Sequence, residues 1–109
     1  MIITTLEGVP GKEITQHYGI AQGSSVRAKN VGKDILAGLK NIVGGELVGY
    51  TQLLQEAREE ATQRMISQAE SLGANAVVNV RFATSSVAQG AAELFVYGTA
   101  VRVATRMEK

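Results

Sequence analysis

The chain has no cysteine, one histidine and one proline in 109 residues. Without cysteine there are no disulfides, no thiolate metal sites and no cysteine nucleophile. A lone histidine, His17, with no G-x-S-x-G motif leaves a hydrolase triad unsupported. The charge is also nearly balanced, at a formal +1, which argues against a nucleic-acid binder that relies on bulk positive charge. Long apolar runs are missing too: none approaches the roughly 20 residues a membrane span needs. The first residues, Met1 to Glu7, lack the basic and apolar regions of a signal peptide, so the expected compartment is the cytoplasm.

The hydrophobic fraction of 45% rules out intrinsic disorder, and the length fits one domain spanning residues 1–109. No repeat, low-complexity block or linker divides it. Pro10 sits in an early turn, Glu7-Gly8-Val9-Pro10-Gly11, flanked by β-patterned pieces at Ile2 to Thr5 and Ile14 to Ala21. Strict alternation in the second piece puts Ile14, Gln16, Tyr18 and Ile20 on one face.

Val31, Ile35, Leu36, Leu39 and Ile42 recur at helical spacing and predict a short helix ending before Gly44-Gly45. The strongest local signal follows. Between Glu46 and Leu72, residues Tyr50, Leu54, Ala57, Ala61, Met65, Ala69 and Leu72 form an apolar stripe, and charged and amide side chains take most of the rest. Gly73 stands where a left-handed residue ends a helix. Beyond it, Ala76 to Phe82 alternates as a strand with Ala76, Val78, Val80 and Phe82 inward, and Thr84 to Gln89 reads as a polar turn pivoting on Gly90. The last strand, Glu93 to Thr105, carries Gly98 at a bulge or crowded contact. The order gives an α+β fold, a mainly antiparallel sheet with one long and one short helix.

That last strand is apolar or neutral on both faces: Leu94, Val96 and Ala100 on one, Phe95, Tyr97, Thr99 and Val101 on the other. One helix covers one face. The other predicts a partner subunit.

Chemistry-bearing residues are few. His17 has no companion at metal-ligand spacing, and Glu56, Glu59 and Glu60 read as the solvated face of the long helix. Gly44-Gly45-Glu46 opens a helix, but Glu46 would repel a phosphate and no Walker lysine follows. Arg27, Lys29, Lys33 and Lys40 make a basic stretch without interleaved aromatics, so solvated surface is the better reading and nucleic acid is not the expected partner.

Gly19-Ile20-Ala21-Gln22-Gly23, the block Asp34 to Glu46 with Asn41-Ile42-Val43-Gly44-Gly45, Ala57-Arg58-Glu59, Leu72-Gly73-Ala74-Asn75-Ala76-Val77-Val78 and Gly98-Thr99-Ala100-Val101 together resemble the YbjQ-like family of small prokaryotic proteins. The likeness runs through almost the whole chain. It implies a dodecin-like subunit in a ring-forming oligomer, a homopentamer in which neighbouring subunits complete each other's sheets. It also brings a heavy-metal-binding label and no catalytic residues. Soft metals want thiolate or imidazole, so here a bound metal ion would need copies of His17 or of a glutamate gathered at the ring axis. No cofactor is identifiable.

The reading is a non-enzymatic, homopentameric protein that binds a small ligand between subunits. The candidate lining is Tyr18, Arg27, Asn79 and Arg81, polar or amphipathic residues on β-patterned segments. Two rivals stand beside it: a scaffold docking a protein partner through Glu59 and Glu60, and an enzyme with an interface site for which no motif argues.

Overall fold

The computed structural model describes residues 1–28, 48–88 and 91–106. Among these residues, four strands and one helix follow in the order β1 (Ile2–Ile3), β2 (Lys12–Ala28), α1 (Val48–Ser71), β3 (Ala76–Ala88) and β4 (Ala91–Thr105). They form one mixed sheet in the order β1-β3-β4-β2, with β1 parallel to β3 and the other pairs antiparallel. The α+β fold expected from the element pattern is therefore present. The predicted short helix at Val31 to Ile42 lies outside the described residues.

Strands of 17, 13 and 15 residues run beside a 24-residue helix, giving a slab of 63 × 26 × 16 Å. Its Cα radius of gyration is 17.9 Å, above the roughly 13 Å of a compact chain this long. A slab that thin has room for two layers only.

Helix α1 packs on β2 and β4 through Ala57, Ala61, Met65 and Ala69, all buried as the stripe requires. The small alanines let the backbones approach closely. Ala21, Val77, Val80, Val96 and Ala100 complete this core from the sheet, with Tyr18 packed against its margin. Leu72 lies one residue past the helix and is 41% exposed. At the stop, Gly73 has φ +94°, its N–H donates to the Glu70 carbonyl, and the Ala74 N–H donates to the Ala69 carbonyl at 3.1 Å. These two bonds form a Schellman motif, with Ala69 and Ala74 in the same apolar cluster.

Among the described residues the opposite sheet face is covered at one end only. Ala76, Val78, Val101 and Val103 are buried there, with Val9 of the N-terminal segment and Ile14 of β2 packed against them. Asn75 fastens this end: its amide donates to the Val103 carbonyl at 3.0 Å and accepts from the Val103 N–H at 2.8 Å.

Three expectations need correction. Strand β2 is longer than Ile14 to Ala21, and register shifts between Ile14 and Gln16 and between His17 and Gly19 interrupt its alternation. Each inserts one residue and flips the following side chains, so Ile14 and Tyr18 pack in different clusters instead of sharing a face. The run from Thr84, read as a turn, continues β3 to Ala88, paired with β4 through Ala88↔Ala91; Gln89 and Gly90 lie outside the described residues. The set expected inward on β3 is split by a register shift between Val78 and Arg81: Ala76 and Val78 pack on the opposite sheet face and Val80 on the helix side. Phe82 pairs with Val96 on the helix side, yet is 47% exposed because α1 lies over β2 and β4 and barely reaches β3.

Candidate functional site

On β3 the register jumps from Val78↔Thr99 to Arg81↔Tyr97, so Asn79 and Val80 form a bulge opposite Gly98. A Cβ on Gly98 would come within 2.6 Å of Val77 Cγ1 and 2.8 Å of the Val78 carbonyl oxygen, which explains the glycine anticipated at a crowded contact. Asn79 takes φ +56°, a left-handed conformation that asparagine adopts more readily than most residues. The bulge turns its backbone towards the N-terminal segment. Asn79 N–H donates to the Leu6 carbonyl at 2.8 Å and Val80 N–H to the Thr4 carbonyl at 3.0 Å.

Arg81 follows directly. Its Nη1 donates to the Thr5 carbonyl at 3.0 Å and to the Val80 carbonyl at 2.9 Å, which fixes the guanidinium against the bulge. Between this bulge and the loop preceding β2 lies an open cleft of about 790 Å³. Leu6, Val9, Pro10 and Ile14 give it an apolar wall, and Asn79, Arg81, Lys12 and Arg106 bring polar and cationic groups to it. Glu7 and Glu13 also line it.

Of the four residues singled out in the sequence, the structure brings Asn79 and Arg81 together in this cleft. Tyr18 is elsewhere, beside the helix stop, with its hydroxyl 3.6 Å from the Cβ position of Gly73 and 3.4 Å from Gln16 Oε1. The Arg27 side chain lies outside the described residues, as do Lys29, Lys33 and Lys40. Lys12 and Arg106 were not anticipated. They are neighbours because Lys12 pairs with Thr105 and the Arg106 N–H donates to the Gly11 carbonyl, and no local motif signals that.

Among the described residues no three His, Cys, Asp or Glu side chains come together. His17 is exposed on β2, and the Met65 thioether is sealed in the core. With no thiolate in the chain, the donors within one subunit do not fit a soft heavy metal. Glu60, a candidate for protein docking, is tied into the fold. Its Oε1 accepts from Ser25 Oγ at 2.7 Å and pairs with Arg64 at 3.1 Å. Among the described residues no helix is long and apolar enough to cross a membrane.

Comparison with known proteins places this architecture. The solved structure of a protein of unknown function from Pediococcus pentosaceus, assigned to the DUF74 family, superposes with a TM-score of 0.63. It covers 95% of this chain and 98% of that one, and at 17% identity it speaks for the fold alone. A UPF0145 protein of Hahella chejuensis is 70% identical over 93% of this chain and 97% of its own length. UPF0145 proteins of Thermus thermophilus and Archaeoglobus fulgidus are 56% and 62% identical, over 100% and 94% of this chain and 96% and 95% of theirs. The YbjQ family, described as "Putative heavy-metal-binding", matches residues 1–104, and the chain belongs to it.

Proposed function

We propose that the protein assembles with copies of itself into a ring and holds a small ligand there. The observation that carries this reading is the half of the second sheet face that no described residue covers. The register puts Ile20, Val26, Phe95 and Tyr97 on it together, past the end reached by the N-terminal segment. Ile20 is 70% exposed, Val26 54% and Tyr97 39%, and the Phe95 and Tyr97 rings stack with centroids 5.4 Å apart. An apolar surface on long paired strands is what an assembly covers and a monomer avoids.

The sheet edges support the same reading. On the β2 edge, α1 supplies caps: Gln68 Oε1 accepts from the Gln22 N–H at 2.6 Å, and Arg64 donates to the Ser24 carbonyl at 2.6 Å. On the other edge, β1 pairs with Ala76 and Val77 alone, so from Arg81 onward β3 has no outer strand among the described residues. An open edge beside an apolar face favours strand addition from a neighbour. Five subunits is the number the family resemblance implies.

Native mass spectrometry of protein purified without chelator, with metal analysis of the same sample, tests this. The expected result is a fivefold mass with a reproducible adduct. A monomer at micromolar concentration overturns the assembly, and a metal bound in stoichiometric amount would restore the family label against the donor set.

A further inference from the structure

We infer that the cleft between the β3 bulge and the N-terminal loop binds a small monocarboxylate with an apolar body. This takes ligand binding from the reading above but places the ligand within one subunit, independently of assembly, because one subunit supplies every lining residue considered.

Three features select the ligand class. First, the cation is pre-organised. Arg81 is held through Nη1 by two carbonyls, while Nη2 and Nε have no protein partner among the described residues. A planar guanidinium fixed on one nitrogen presents a fork that matches a carboxylate. The left-handed Asn79 stands two residues away, and its amide has no hydrogen-bond partner among the described residues.

Second, the charge count favours a single negative charge. Lys12, Arg81 and Arg106 face Glu7 and Glu13, which leaves one positive charge in excess. A monoanion neutralises it, whereas a dianion such as a phosphate monoester would bring the site to net negative. The third feature is the wall. Leu6, Val9, Pro10 and Ile14 offer an apolar surface beside the cations, so an alkyl or aryl body gains burial that a bare inorganic anion cannot.

Isothermal titration calorimetry with sodium hexanoate, hexan-1-ol and inorganic phosphate tests the class. Hydrogen-exchange mass spectrometry gives the location, and native mass spectrometry of the same sample gives the subunit count. Hexanoate should bind saturably and protect residues 5–14 and 79–81, with hexan-1-ol and phosphate each weaker by about tenfold or more. Arg106→Gln should weaken hexanoate by about tenfold without altering the fold, since Arg106 is exposed and only its backbone N–H is engaged. Arg81→Gln should abolish binding and loosen the Thr5 loop. Hexan-1-ol as tight as hexanoate reduces the cleft to an apolar surface and overturns the inference. So does phosphate as tight as hexanoate, protection mapping elsewhere, or an Arg106→Gln variant with unchanged affinity. A pentamer that ignores hexanoate removes the cleft and leaves the assembly; a monomer that binds it does the reverse.

Discussion

Gly23 of β2 lies against Ala61 of α1 so closely that a Cβ on the glycine would overlap the alanine's carbonyl oxygen. The same Cβ would stand 2.6 Å from the Met65 amide nitrogen and 2.9 Å from Arg64 Cβ. Two of these three obstacles are backbone atoms in mid-helix and cannot rotate away. The glycine thus sets how deeply the helix sits on the sheet, and with it the 2.6 Å contacts from Gln68 and Arg64 to β2.

Gly23→Ala should therefore destabilise the fold by about 1–3 kcal/mol, the range for overpacking. Urea unfolding followed by far-UV circular dichroism measures it. Gly8→Ala is the control, because a Cβ there meets nothing within 4 Å. It should stay within about 0.5 kcal/mol of the parent. Equal effects at the two positions would mean that the close approach at Gly23 is not what holds the helix in place.

A different mechanism operates at Gly73. The space around it is ordinary, with the Tyr18 ring 3.6 Å or more from the Cβ position, but its φ of +94° is unfavourable for any L side chain. Gly73→Ala should cost about 1–2 kcal/mol. Gly73→Asn should cost measurably less, because asparagine tolerates the left-handed region. Thermal melts of the two variants separate the conformational penalty from a steric one, which would penalise the larger asparagine more.

These glycines also mark what the sequence made legible. A stop at Gly73 and a crowded contact at Gly98 follow from glycine's place at the end of a helical stripe and inside a β-rich run. The buried positions Ala57, Ala61, Met65 and Ala69 follow from helical periodicity alone. Bulges are different. Thr15 and Tyr18 are ordinary strand residues, and only the pairing with β4 reveals that each shifts the register, so alternation assigns Ile14 and Tyr18 to one face when they occupy two. Thr84 to Ala88 misleads for a related reason. On an edge strand beyond the helix no apolar side chain is demanded, and a polar β-strand then resembles a loop. The cleft was half legible: Asn79 and Arg81 stand out as polar interruptions of an apolar strand. Lys12 and Arg106 are 94 positions apart, and only the sheet register makes them neighbours.

Asn75 illustrates how side-chain polarity closes the sheet. Its amide exchanges two hydrogen bonds with Val103, repeating with a side chain the pattern of an antiparallel backbone pair. Both bonds are partly buried, so removing the amide leaves a donor and an acceptor on Val103 with restricted access to water. Asn75→Ala should cost about 1–3 kcal/mol. Asn75→Asp keeps the acceptor for the Val103 N–H but sets an ionised oxygen against the Val103 carbonyl, and should be at least as destabilising at neutral pH. Chemical denaturation of the two variants checks the order. An unperturbed Asn75→Ala would show that this contact contributes nothing net to stability.

The second sheet face separates folding from assembly. Ile20 pairs with Thr99 in the ladder, but its side chain is largely in solvent within one subunit, so the subunit's own stability should not depend on it. Ile20→Lys is expected to leave the circular dichroism spectrum unchanged and to shift the unfolding free energy by less than about 0.5 kcal/mol per subunit. In a ring that buries this face, the same lysine loses its hydration in every interface, and a charge desolvated without a partner is costly enough to dissociate the assembly. Val101→Lys makes the contrast, because Val101 is fully buried under the N-terminal segment and its replacement should unfold the subunit itself. Analytical ultracentrifugation of the Ile20→Lys protein decides the matter. A folded subunit at reduced mass assigns the face to the interface, and an unchanged oligomer moves the interface to the open edge of β3.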